Sequence, residues 1–271
     1  MANETEKKDL KILLNESWEF FAKRWVILFL ISLFVWIPVM MVLPLANFLW
    51  SSYNLLKSNT ELLFSFKVIL AGGILSLTVI GVFVLVLLLD KLMKVTIMEK
   101  LWEKPEEIYY LEFIKLIKEV WPKMEELFNA QLLAWVIIFA GCLLFFVPGI
   151  LFLIWFSFVP YEVILGGKTG KDALASSKKI VLYSLLKFVG NMAVIIGILV
   201  FINIGLSGFF KLIFSFSNST TLLGLGEFAA KMISNIINLW LTVFHFSLYK
   251  ELKKRYLSGL DVSPANSEEP S

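Results

Sequence analysis

The chain has 271 residues, of which 58% are hydrophobic and 17% charged, against about 25% charged in a soluble domain. A net charge of +3 does not mark a nucleic-acid binder, because acidic residues share the same segments as the basic ones. One histidine and one cysteine exclude a two-histidine metal motif, an intrachain disulfide and cysteine-pair redox chemistry.

Charge is absent from Trp25–Leu56, Val68–Leu89, Leu127–Tyr161, Phe188–Phe210 and Met232–Tyr249. A bilayer core takes roughly 20 apolar residues per helix, so the third run holds two spans and the chain six. Between the spans the 25 Lys and Arg fall as 5, 2, 7, 0, 5, 2 and 4, which puts 21 on one side and 4 on the other. The basic side of a membrane protein is cytoplasmic, so both termini are expected inside, in the cell membrane.

In chain order, residues 8–24 are expected to form an amphipathic interfacial helix with Leu10, Leu13, Leu14, Trp18 and Phe21 on one side. No early apolar h-region precedes it, so Trp25 onward reads as an uncleaved first span, to about Phe48, kinked at Pro38 and Pro44. A polar outer loop with Ser51, Ser52, Asn54, Ser58, Asn59 and Thr60 leads to span 2 at Val68–Leu89, where Gly72, Gly73 and Ser76 permit close helix approach. Inside again, Glu107–Phe128 shows helical spacing of Ile108, Leu111, Ile114, Leu116, Ile117, Val120 and Trp121 and reads as a second interfacial helix.

Leu127–Gly167 contains one charge, Glu162. One span here would split Lys and Arg 14 to 11, whereas two preserve the 21 to 4 bias. The expected structure is therefore a hairpin turning at Pro148-Gly149, with spans near Leu127–Val147 and Ile150–Leu165. A third interfacial helix, led by Asp172 at the positive end of its dipole, occupies the segment up to residue 187. Spans 5 and 6 follow at Phe188–Phe210 and Ala230–Tyr249, separated by a Ser/Thr/Asn/Gly-rich outer loop. The basic cluster Lys250, Lys253, Lys254 and Arg255 stops the last span. The expected fold is thus all-α and integral to the membrane: six transmembrane helices with three cytoplasmic-side amphipathic helices over residues 1–257, then a disordered tail at 258–271. Interfacial helix, span, span recurs over 8–89, 107–165 and 171–249.

Two features carry potential chemistry. Glu162 is the lone carboxylate inside an expected span, and intramembrane ionisable groups are functional candidates. It also stands about one turn from the cytoplasmic surface, where headgroup water would suffice to solvate it, and both readings stay open. On span 6, Lys231, Asn235, Asn238, Thr242, His245 and Tyr249 recur at steps of 4, 3, 4, 3 and 4 and share one helix face. Lipid cannot satisfy amides or imidazole, so Asn235, Asn238, Thr242 and His245 are expected to point inward, as interhelical hydrogen-bonding groups or as the lining of a polar pathway. Asn191 and Asn203 on span 5 are the expected partners. No phosphate-cradling loop or nucleophile elbow occurs, no paired carboxylates lie within the spans, and no cofactor or metal is expected.

Val147-Pro148-Gly149, an aromatic-rich span, Gly166-Gly167 and then Asp172-Ala173-Leu174-x-x-Ser177 resemble the glycerophosphoryl diester phosphodiesterase membrane-domain family and related six-span prokaryotic membrane proteins. Ser17–Trp25 and Val120–Leu133, with Trp121-Pro122, are similar too. The chain departs from that pattern at Tyr183, where Gly is common, and in placing Glu162 earlier than the usual acidic position, so the resemblance assigns Glu162 no role. Phosphodiesterase activity belongs to family members with a fused catalytic barrel, which has no room here. The resemblance therefore implies a stand-alone membrane domain without the catalytic barrel. The reading adopted is a non-catalytic membrane- or lipid-associated scaffold, and the Lys-bearing faces of the three interfacial helices are expected to bind anionic lipid of the cytoplasmic leaflet. A small-molecule or lipid transporter using the span 6 face is the alternative.

Overall fold

A computed structural model of the chain describes residues 10–33, 51, 66–103, 113–215 and 220–261. Among these the regular structure is entirely helical. Helix α1 covers residues 10–33, α2 Phe66–Glu103, α3 Phe113–Val120, α4 Lys123–Leu144, α5 Phe146–Trp155, α6 Val159–Ile164, α7 Gly170–Tyr183, α8 Leu185–Ser215 and α9 Thr220–Asp261. The chain divides into two compact units, Met1–Phe29 with Asn129–Ser271, and Leu30–Phe128.

Three segments among the described residues are long and apolar enough to cross a membrane: Lys123–Leu144, Phe146–Ile164 and Leu185–Phe210. The described residues are all-helical, with the helices of a membrane protein, and three such segments stand among them where six were expected for the whole chain. Much of expected span 1 and the first outer loop lie outside the described residues, whereas the stretches assigned to spans 2 and 6 are parts of α2 and α9.

Element boundaries depart from expectation in instructive places. Residues 10–33 form one helix, with no break between the amphipathic segment and the apolar segment at Trp25. The second amphipathic helix stops earlier than expected, and its expected start at residues 107–112 lies outside the described residues. It ends at Val120, and a turn at Trp121-Pro122 separates α3 from α4. Pro122 has no N–H to continue the ladder, and the Met124 N–H restarts it by donating to the Trp121 carbonyl at 3.0 Å. In the Leu30–Phe128 unit, Lys100 of α2 and Glu119 of α3 form an ion pair, and Leu116 and Val120 are buried. At the other end of the chain, α9 continues through Asp261, so residues 258–261, expected in the tail, are helical.

The hairpin is present, but its pivot is Phe145 and not Pro148-Gly149. Phe145 is extended (φ −157°, ψ 144°), while Pro148 and Gly149 sit in the first turn of α5. A helix start is where proline is tolerated, because the first N–H groups have no intrahelical acceptor anyway. Gly149 has a separate task. A Cβ there would lie 2.1 Å from Cys142 Sγ and 2.9 Å from the Cys142 amide nitrogen, and a Cβ on Gly141 would lie 2.7 Å from a Phe152 ring carbon. Residues 141 and 152 would be about 16 Å apart along a straight helix, so this proximity shows that the chain folds back, with glycines where the two arms meet.

The returning arm is itself broken. Residues 156–158 form a turn between α5 and α6. Within the Met1–Phe29/Asn129–Ser271 unit, α7 lies against α5 and α6, and α9 touches α7 and runs along α8.

Candidate functional site

The site is built on the break between α5 and α6 and on the turn that follows α6. A helix interrupted inside an apolar segment must have its freed backbone groups satisfied by protein. Ser177 of α7 does this on both sides of the break. Its hydroxyl donates to the Trp155 carbonyl at 2.7 Å, and its Oγ accepts the Phe158 N–H at 3.1 Å. Lys178, next along α7, places its ammonium 4.3 Å from the centre of the Trp155 ring. Thus Ser177 of the family-like motif clasps a broken span, and Ala173 and Leu174 are buried on the same helix. Asp172 lies in the first turn of α7, where its own N–H donates to the Thr169 carbonyl at 3.0 Å.

Glu162 sits in the first turn of α6 with 0% exposure. Its carboxylate does not reach outward to water; four donors converge on it instead. Oε2 accepts the Ser176 hydroxyl at 2.6 Å and faces the Lys168 ammonium at 2.8 Å. Oε1 accepts the Tyr249 hydroxyl at 2.6 Å and faces the Lys253 ammonium at 2.9 Å. Lys253 also donates to the Tyr249 oxygen at 2.8 Å. The two lysine side chains remain 41% and 27% exposed, so they connect the buried carboxylate to the outside.

The turn after α6 is shaped to allow this. The Lys168 N–H donates to the Glu162 carbonyl at 3.1 Å, so one residue binds both the backbone and the side chain of Glu162. Gly167 has φ +61°, a left-handed conformation that glycine adopts without steric cost. A Cβ on Gly166 would lie 2.6 Å from the Glu162 carbonyl oxygen, so only glycine fits there.

Aromatic rings pack beside the carboxylate. Phe158 is fully buried and touches Tyr161, Phe188, His245 and Tyr249. Tyr161 and Tyr249 stack with centroids 4.9 Å apart, and the Tyr161 hydroxyl is 3.1 Å from His245 Nδ1.

The expected polar face of span 6 divides along α9. Its C-terminal half, His245 and Tyr249, joins the Tyr161 and Glu162 cluster. Its N-terminal half does not turn inward: Asn235 and Asn238 are exposed, and Thr242 donates to the Asn238 carbonyl of its own helix at 3.2 Å. The Lys231 side chain lies outside the described residues. Asn203 of α8 does bond α9, but through Ser234, while its amide nitrogen donates to the Leu199 carbonyl at 2.8 Å. Asn191 is buried on α8. Lys168, Ser176 and Lys253 were not foreseen as partners of Glu162. Among the described residues no group of three or more His, Cys, Asp or Glu is placed to hold a metal ion.

No family model, curated protein or solved structure matches this chain. The likeness to the glycerophosphoryl diester phosphodiesterase membrane domain therefore rests on the motif residues alone.

Proposed function

We propose that the protein is a non-catalytic, multi-pass scaffold of the cell membrane, a stand-alone domain of the phosphodiesterase-membrane-domain type. It crosses the bilayer six times with both termini in the cytoplasm, and anionic phospholipid of the cytoplasmic leaflet is its partner. The observation that carries this reading is the state of Glu162. Both carboxylate oxygens are engaged by two donors each, drawn from the turn after α6, from α7 and from α9. A group held in this way joins helices and has little capacity left for a substrate. The lysines around it complement lipid phosphates, each contributing on the order of 1 kcal/mol near an anionic surface.

One observation favours the transporter reading: a discontinuous helix with a buried carboxylate beside the break is the architecture on which transporters build solute sites. Reconstitution separates the two. Purified protein in sealed vesicles is expected to give no movement of protons, potassium, inorganic phosphate or labelled phospholipid above protein-free vesicles. Flux above that of protein-free vesicles that falls in the Glu162→Gln variant, with folding intact, would establish the pathway and end the scaffold reading.

A further inference from the structure

From Leu132 to Phe156 no side chain carries a charge, an amide or a hydroxyl. The hairpin pivots in the middle of this run. At the pivot Leu143, Leu144, Phe145, Phe146 and Val147 are each 65–74% exposed. The other two expected far-side connections are rich in Ser, Thr and Asn, so this turn is chemically unlike them.

Its backbone has the opposite requirement. The Phe145 N–H donates to the Gly141 carbonyl at 3.0 Å, and no side chain caps α5. The first N–H groups of α5 and the last carbonyls of α4 are at helix ends, where intrahelical partners run out. Pro148 lowers the number of such donors by one. Hydrocarbon cannot satisfy the groups that remain. Water can, but leaving five large apolar side chains in it forgoes about 25 cal/mol for every Å² that lipid would cover. The interfacial layer, where amphipathic elements lie 5–10 Å into the headgroup and acyl boundary, meets both demands.

Length agrees. The returning arm, Phe146–Ile164, has 19 residues, three of them in the turn at 156–158. At 1.5 Å per residue it rises at most about 28 Å, against a hydrocarbon thickness of roughly 30 Å. With Glu162, Lys168 and Lys253 at the near surface, such an arm does not clear the far headgroups.

We propose that Leu143–Val147 is a lipid-inserted wedge, seated at the ester and glycerol level of the far leaflet and binding phospholipid there instead of standing in far-side water. This rests on the membrane-crossing reading above. Cys142, the single cysteine and exposed beside the tip, provides the probe. Full-length protein in phosphatidylcholine–phosphatidylglycerol vesicles is labelled at Cys142 with a fluorophore and mixed with lipids spin-labelled near the headgroup or near the chain terminus. Leu144→Cys on a Cys142→Ser background repeats the measurement without disturbing the contact with Gly149. At both positions the headgroup-proximal label is expected to quench at least about twofold more strongly, and an impermeant maleimide to react about tenfold more slowly than at Asn54→Cys.

Stronger quenching from the chain terminus would place the tip in hydrocarbon and overturn the wedge. No quenching, with maleimide reaction as fast as at Asn54→Cys, would place it in water and overturn it equally. Lys171→Cys tests the underlying reading separately. Labelling of Lys171→Cys and Asn54→Cys from the same side overturns both the crossing topology and the wedge. Opposite-side labelling with an unquenched tip removes the wedge alone.

Discussion

Two buried carboxylates, one in each unit, are held in different ways. Glu162 has a donor pair on each oxygen, contributed by residues up to 91 positions away in the chain, as with Lys253. Asp90 of α2 has one partner, Lys94 at 2.7 Å a turn along its own helix, and its Oδ1 has no hydrogen-bond partner among the described residues. Local pairing gives an ion pair that any isolated helix could form. Convergent pairing gives a joint, because the donors meet only if the turn after α6, α7 and α9 are all in place. The contrast separates a charge that organises a fold from one that is tolerated by it.

Removing the joint is the most severe way to break the comparison. Glu162→Ala leaves two ammonium groups and two hydroxyls without the acceptor that gathered them. Breaking a buried pair by deleting one partner costs about 3–5 kcal/mol, and the partial exposure of both lysines puts this case near the lower end, about 3 kcal/mol. Thermal unfolding of the purified protein in mild detergent is expected to show a clear fall in midpoint, with a smaller one for Glu162→Gln, which keeps one acceptor. A midpoint unchanged in Glu162→Ala would mean that the four contacts do not hold the unit together.

The clasp at the break comes next. Ser177→Ala leaves the Trp155 carbonyl and the Phe158 N–H without their shared partner in a buried place. An unmade buried hydrogen bond costs about 1–3 kcal/mol, so a loss of about 2 kcal/mol is expected. Ser177→Thr, which retains the hydroxyl, should recover part of it. Equal stability of the Ala and Thr variants would argue that the hydroxyl is dispensable at the break.

Sequence reasoning reached part of this. Charge parity alone indicated a hairpin within Leu127–Gly167, and Glu162 stood out as the single charge of that run. The pivot was misplaced because Pro-Gly signals a turn and a helix start equally well, and the deciding feature is the extended backbone of Phe145, which no residue type announces. Ser177 was visible as part of a motif, but its role depends on a helix break at 156–158 that Phe-Ser-Phe does not advertise. The donors to Glu162 were hidden for another reason: Lys168 and Lys253 are two of 23 lysines, and only the folded geometry distinguishes them from the rest. Helical periodicity says only that Asn235 and Asn238 share a face; the expected inward direction rests on lipid being unable to satisfy an amide, and in the structure both are exposed.

A milder test addresses the turn that lets Lys168 bind both the backbone and the side chain of Glu162. Gly167 holds φ +61° with nothing near its missing Cβ, so an added methyl meets conformational strain but no clash. The left-handed conformation costs an L residue about 1–2 kcal/mol, and Gly167→Ala is expected to lose about 1 kcal/mol. Gly167→Asn, which tolerates this conformation better, should lose less. If Ala and Asn are equal, the turn has rearranged and the Lys168–Glu162 contact does not depend on it.

The smallest effect is a slope in the Leu30–Phe128 unit, and it distinguishes a tolerated charge from an organising one. Burial pushes the Asp90 carboxyl above its ordinary value, and the nearby Lys94 ammonium opposes that shift without cancelling it. Folded protein therefore holds the Asp90 proton to higher pH than unfolded protein does. Between the unfolded value, about 3.9, and the raised folded one, the native state binds more protons, so this group's contribution to stability falls as pH rises and levels off above the folded value. Asp90→Asn lacks that slope. The stability of the parent relative to Asp90→Asn is thus expected to decline as pH is raised from about 4 toward neutrality, as measured by thermal unfolding at a series of pH values. The Lys94 pair forms only with ionised Asp90, so its loss is part of the same slope and opposes the effect of burial. A difference that grows in the parent's favour with rising pH would mean that Lys94 outweighs burial. Asp90 would then be an organising charge of the same kind as Glu162, held by one partner instead of four.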